Sequence, residues 1–403
     1  MASPSRQIRL GAFLMQTGHH IAAWRHPDVP ADAGSNFRHY VELAQLAESA
    51  KFDAIFLADA VGVRSQNLPS LARTARSDHF EPLTLLSALS VATERIGLIA
   101  TVSTSFNEPY NVARKFASLD NISGGRSGWN LVTSSGRGEA ENFSREEHFE
   151  HALRYERAAE FHDIVTGLWD SWEDDSFVRD KASGQYFDVD KHHVLGHKGK
   201  HFSVRGPLNV SRSPQGRPVV VQAGASPADR DLAARTAEVI FVAHQTLAEA
   251  QSFYREVKSR AVQNYGRHPD DIKIMPGIFP VIGRTQAEAE AKFQQLQDLI
   301  PPIVGVTLLS EMIGADLSGP SHRRPPARPA RDQRRQEPPA AAHRPGAARE
   351  PVHPRTLPAH RRRARPPADR GHARKRGRLP AGMVRERSRR RLQHHVAPPA
   401  RRI

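Results

Sequence analysis

The chain has 403 residues and a formal charge of +15, with no cysteine, so disulfides and thiolate chemistry are excluded. The charge is uneven: residues 321–403 hold 24 Arg, 1 Lys and 5 acidic residues, a net of +20, whereas residues 1–320 hold 33 basic and 38 acidic residues, a net of -5. The body therefore reads as an ordinary, slightly acidic globular sequence. The N-terminal apolar run is too short for a signal peptide and no stretch approaches a membrane span, which makes a cytoplasmic protein the expectation.

Taken in order, the body alternates short apolar runs with helical periodicity. Residues 8–14 read as a first strand, and 16–36, with the pair His19 and His20 and the sequence AAWRHPD, as a long loop at its C-terminal end. A helix over 37–50 follows from apolar spacing at Tyr40, Leu43, Ala44, Leu46 and Ala47. A second strand over 52–57 ends in Ala58 and Asp59; a helix over 82–93 leads to a third strand at 96–101, which is followed by the hydroxyl residues Ser103, Thr104 and Ser105. A helix over 109–122, a turn on Gly124 and Gly125, and a fourth strand over 128–132 complete the unit around which the chain is organised. Residues 148–172 then read as a long amphipathic helix. Residues 174–215 form a polar insertion without clear period. Beyond it, strands beginning at 219, 239 and 272 alternate with helices over 226–237, 247–265 and 285–299, before an apolar segment at 300–314.

Seven successive strand–helix units fit a (β/α)8 barrel better than an open doubly wound sheet, which would carry a glycine-rich fingerprint after its first strand. The eighth strand is not visible. In a parallel barrel the functional groups lie at the C-terminal ends of the strands. Gly224, Ala225, Ser226 and Pro227 make a small-residue turn with Ser at a helix N-cap and Pro at N1, which suits either an anion cradle or a plain helix start. His151 and Tyr155 are four apart, so they share a helix face, as ligand contacts or as packing. Asp59 either contacts a ligand or caps the next helix, and Thr104 and Asn130 are either rim contacts or turn residues. Trp24, Phe56, Phe106 and Trp129 line a pocket or fill the core. His19, His20 and His26 are candidate proton carriers on the first loop, but the sequence assigns no catalytic residue, and no clustering of His and carboxylates calls for a metal.

Several stretches carry a family resemblance: FDAIFLAD at 52–59, GGRSGWNLVTSS at 124–135, HALRYERAAEF at 151–161, LWDSWEDD at 168–175 and HKGKHFSVRGPLNVSRSPQGRPVVVQAGAS at 197–226. Together they resemble the bacterial luciferase-like flavin monooxygenases, in the branch of nitrilotriacetate monooxygenase, dibenzothiophene-sulfone monooxygenase and pristinamycin synthase. The resemblance covers about residues 7–317, which sets a domain of 1–317 with its insertion and a tail of 318–403. It implies a TIM barrel that takes reduced FMN from a separate NAD(P)H:flavin reductase. Reaction with O2 then gives a flavin hydroperoxide that oxidises a small organic substrate. It further implies FMN contacts at Asp59, Thr104, His151, Tyr155 and Ser226, and a homo-oligomer; Asn130 at the rim and Gly224 in the small-residue turn are added to these contacts from their own positions.

The tail departs from the family. Arg, Pro, Ala and His dominate it, and 14 of the 30 prolines lie after Pro320. It reads as a basic arm for nucleic acid or anionic surfaces, as a disordered extension, or as out-of-frame translation of a GC-rich gene. Back-translation of residues 371–398 shifted by one base permits an amphipathic helix, a turn and a strand, DGFNIM, and this favours the frameshift. On that reading the barrel lacks its eighth strand, leaves its first and seventh strands with open edges, and folds poorly or is inactive.

Overall fold

The computed structural model describes residues 7–63 and 67–317. The tail lies outside the described residues. In chain order the elements are β1 (Gly11–Leu14), α1 (Phe37–Ser49), β2 (Ala54–Leu57), α2 (Leu68–Leu71), α3 (Pro82–Leu89), β3 (Gly97–Ser103), α4 (Pro109–Ser123), β4 (Ser127–Val132), α5 (Arg137–Glu141) and α6 (His151–Trp169). They continue with β5 (His197–Lys198), β6 (Ser203–Val204), β7 (Val219–Ala223), α7 (Pro227–Thr236), β8 (Val239–Val242), α8 (Leu247–Tyr265), β9 (Lys273–Pro276), α9 (Gln286–Asp298) and α10 (Pro302–Ile313).

Local chemistry fixes the boundaries. Asn36 caps α1 by accepting from the His39 N–H, and Glu81 caps α3 by accepting from Leu83 and Thr84, with Pro82 preset for the first turn. The left-handed backbone of Gly124 (φ 69°) ends α4 and turns the chain into β4. Several elements depart from the sequence expectation. The strand β3 runs on to Ser103, α6 is shorter at both ends than 148–172, and α2 and α5 are single turns too short to show a periodicity. The strand expected over 272–282 stops at Pro276. The insertion is ordered by a two-stranded antiparallel ribbon, β5 with β6, and by Glu160 on α6, whose carboxylate accepts from the His201 and Phe202 N–H groups and meets His197 Nε2.

Seven strands form one parallel sheet in the order β1-β2-β3-β4-β7-β8-β9, each paired with the next after a helical crossover. The sheet curls back on itself. Phe13 on β1 lies with its ring centroid 5.2 Å from that of Phe241 on β8, and a Cβ on Gly11 would lie 3.3 Å from the Met275 methyl on β9. It is a nearly closed TIM barrel, with β1 and β9 facing each other across an unpaired seam. Among the described residues no eighth strand fills that seam. The consequence is visible in burial: Ile8, Leu10 and Ile278 are exposed, α9 buries none of its residues, and α10 buries only Val304.

Alternation along each strand divides two faces. Leu98, Ala100, Val102, Trp129, Leu131 and Val220 point outward into the main core against α4 and α6. Trp129 is completely buried between Phe116, Phe161 and Trp169, and its Nε1 donates to the Val102 carbonyl at 3.1 Å. It belongs to the core and not to a pocket wall. A second cluster joins Ile240 and Val242 of β8 to α7 and α8. The intervening residues, among them Phe56, Thr101, Asn130 and Phe241, turn into the barrel.

Candidate active site

The candidate residues all come from the C-terminal ends of strands or from the helix starts just beyond them. Asp59 follows β2, with Oδ1 3.3 Å from His79 Nε2. Thr104 follows β3, almost fully buried, and both its N–H and its hydroxyl donate to the Val132 carbonyl. Asn130 in β4 donates from Nδ2 to Thr101 Oγ1 at 2.8 Å, while its Oδ1 is buried with no hydrogen-bond partner. A buried carbonyl left unpaired is costly, and this oxygen is available to accept a further hydrogen bond.

The other four candidates meet at the start of α7. The His151 and Tyr155 rings lie 4.8 Å apart on one face of α6, as the i, i+4 spacing requires. Tyr155 donates its hydroxyl to Asp229 Oδ1 at 2.5 Å. Ser226 is the N-cap of α7: its Oγ accepts from the Asp229 N–H, while its own N–H and hydroxyl donate to Asp229 Oδ2. Gly224 passes directly beneath, where a Cβ would lie 2.3 Å from the Asp229 carboxyl carbon. Burial, reinforced by the adjacent Asp229 charge, pushes the Tyr155 phenol well above its ordinary pKa. Burial, with nearby Arg154 and against the Asp229 charge, pulls His151 below its ordinary value. The structure thus brings His151, Tyr155, Gly224 and Ser226 together, and leaves Asp59, Thr104 and Asn130 along the neighbouring strand ends without a direct bond to that group.

Three further residues of the rim are not among the site candidates drawn from the sequence. Asp229 was legible, because Ser226 followed three residues later by an acid is a capping-box signature. Glu139 and Arg154 were not, since both are charged residues that tertiary packing buries. Glu139 accepts from the N–H groups of Val61, Ser135 and Gly136 and from Ser134 Oγ, and Arg154 Nη1 donates to the Ser134 carbonyl at 2.7 Å. Together they hold the loop after β4, in which Ser134 adopts a positive φ of 53°. Of the first-loop histidines, His19 Nε2 bonds to the Phe13 carbonyl at 2.9 Å. Burial lowers the pKa of His20. His26 Nδ1 lies 3.8 Å from an Asp28 carboxylate oxygen. Phe106 stacks on Phe143 and meets His148 edge-on, while Phe56 lies inside the barrel between Phe13 and Phe241. Trp24 Nε1 donates to the Arg73 carbonyl.

This rim of polar groups over a parallel barrel has close counterparts. The profile of the family described as luciferase-like monooxygenase matches residues 14–378. The chain belongs to the luciferase-like monooxygenase family. It is 54% identical over 319 residues to N-acetyl-S-(2-succino)cysteine monooxygenase of Bacillus subtilis (strain 168), covering 79% of this chain and 71% of that protein. It is 44% identical over 331 residues to nitrilotriacetate monooxygenase component A of Aminobacter aminovorans, covering 78% and 72%. Among solved structures it is similar to a riboflavin lyase with modified FMN and substrate riboflavin, at a TM-score of 0.72 and 35% identity, over 78% of this chain and 71% of that one. Membership makes the chain an oxidoreductase of the monooxygenase class.

The donors and acceptors at the site fit a flavin at one end. The unpartnered Asn130 oxygen suits an N–H on the polar edge of a flavin ring, and the aromatic interior of Phe13, Phe56 and Phe241 suits its apolar body. At the other end, the donors that a phosphate would use at α7 are already turned to Asp229.

Proposed function

We propose that this chain is the oxygenase component of a two-component, flavin-dependent monooxygenase. It would receive reduced FMN from a separate NAD(P)H:flavin reductase and use O2 to oxidise a small organic substrate. The observation that carries this reading is the buried Asn130 acceptor in the mouth of the barrel, with the His151, Tyr155 and Ser226 group beside it. Supporting it are relatives named as monooxygenases, one of them a "component A", and a similar structure that contains a modified FMN.

A bound reduced flavin supplies the electrons and activates the oxygen. The residues of the chain supply the setting. Asn130 would orient the ring edge, Tyr155, Ser226 and Gly224 would border the ribityl end, and Asp59 and Thr104 would line the rim between them. His151 can accept a proton at the mouth. The aromatic interior keeps water from the reacting centre. The test is a coupled assay of the full chain with a flavin reductase, NADH, FMN, labelled O2 and a panel of thioethers, aminopolycarboxylates and sulfones. Label in an oxidised product supports the proposal. Flavin turnover with only hydrogen peroxide formed across the whole panel, by the chain and by a version with its reading frame restored, contradicts it.

The open seam sets a further expectation. With edges exposed on β1 and β9, the oxygenase should be poorly active, and residues 318–403 are proposed to be out-of-frame sequence where a closing strand and helices belong. Resequencing the coding DNA across codons 300–403 decides this: one inserted or deleted base that restores a helix and strand supports it, and stops in the alternative frames overturn it. A cytoplasmic location and a homo-oligomer belong to the same proposal.

A further inference from the structure

We infer that Asp229 acts as a built-in anion at the phosphate end of the site, so that the chain gains little from a flavin's terminal phosphate and takes riboflavin about as readily as FMN. The inference rests on the flavin reading above.

Three donors at the start of α7 are already engaged by this one carboxylate. Ser226 gives it both its N–H, at 3.0 Å, and its hydroxyl, at 2.6 Å, and Tyr155 gives it the phenol hydroxyl at 2.5 Å. Pro227 has no N–H, and the N–H of Asp229 itself returns to Ser226 Oγ at 3.2 Å. The concavity left by Gly224 is filled as well, because the Asp229 carboxyl group packs on it where a Cβ would stand. The carboxylate therefore takes the Ser226 and Tyr155 donors and the helix-dipole potential that a phosphate would use. A phosphate entering this group must displace Asp229 from three charge-assisted hydrogen bonds and then remain close to a like charge. The neighbouring cation does not offset this. Arg230 is turned away, with Nε donating to the Ala225 carbonyl at 2.9 Å and Nη1 paired with Glu256. Riboflavin ends in a neutral hydroxyl and meets none of this repulsion.

The experiment titrates the full chain with oxidised FMN and with riboflavin, following flavin fluorescence, for the unaltered protein, Asp229→Asn and Asp229→Ala. The unaltered chain is expected to bind the two flavins within about threefold of each other, and both substitutions should tighten FMN by about tenfold or more while moving riboflavin by less than about twofold. The riboflavin constant reports that each variant retains its fold and its ring site. FMN binding about tenfold tighter than riboflavin in the unaltered chain overturns the inference, as does an FMN constant that the substitutions leave unchanged or weaken. If none of the three proteins binds either flavin, the flavin reading itself fails and carries the inference with it.

Discussion

Substitution of Trp129 by alanine tests whether β4 is oriented as described, because Trp129 and Asn130 are adjacent and point to opposite faces. The indole is fully buried, contacts three aromatic rings with centroids about 6 Å away, and donates one buried hydrogen bond. A buried aromatic of this size removes about 150–250 Å² from water. At about 25 cal/mol/Å² the larger value corresponds to about 6 kcal/mol. Measured truncations of buried Phe or Trp to Ala cost about 3–5 kcal/mol, since the cavity partly collapses. The lost Val102 bond is part of that figure, worth about 1 kcal/mol. A loss of about 4 kcal/mol is a large share of the roughly 5–15 kcal/mol that stabilises a domain. With a urea slope of about 3 kcal/mol/M, the unfolding midpoint should fall by about 1.3 M, followed by far-UV circular dichroism. Trp129→Phe, which keeps most of the volume, should lose about 1–2 kcal/mol. A midpoint shift below about 0.3 M for Trp129→Ala would refute the placement and put the indole in the barrel mouth instead.

The neighbouring residue should behave in the opposite way. Asn130→Leu removes an oxygen that has no partner together with the buried bond from Nδ2 to Thr101, so stability should fall by only about 1–2 kcal/mol, whereas flavin affinity should fall by about tenfold or more, as read by fluorescence titration. Acid sensitivity should report Glu160. Burial opposes its ionised form, but hydrogen bonds from His197, His201 and Phe202 outweigh burial and hold its pKa below the ordinary value of 4.5. The unfolded chain then binds the proton first as pH falls, so this contribution is present in full above pH 4.5 and is lost below it. Glu160→Gln should lower the midpoint at pH 7 and flatten the decline between pH 5 and pH 3, as checked by urea titrations at each pH. An unchanged acid limb would show that the carboxylate does not anchor the insertion.

Much of the fold was legible in the sequence because parallel strands and their covering helices obey local rules. Short apolar runs marked β2, β8 and the buried centre of the sheet, Pro82 marked a helix start, and Gly124 marked the turn after α4. Less legible were the parts that tertiary contacts create. The insertion has no periodicity of its own, since its order comes from Glu160 on α6. The shortness of β9 follows from the seam, where a strand without a partner on one side has no reason to continue past Pro276.

For the site, residue type and spacing by themselves determined that His151 and Tyr155 share a face, that Ser226 opens a helix, and that Asp59, Thr104 and Asn130 stand at strand ends. Only the tertiary structure decided what these groups face. It put Trp129 in the core and Asn130 in the barrel, left one amide oxygen without a partner, buried Glu139 and Arg154 around the loop after β4, and joined Tyr155 to Asp229 across 74 residues of sequence. The physical reason is that propensity and capping act over a few residues, whereas desolvation, charge pairing and the closing of a sheet depend on which surfaces distant segments bring together.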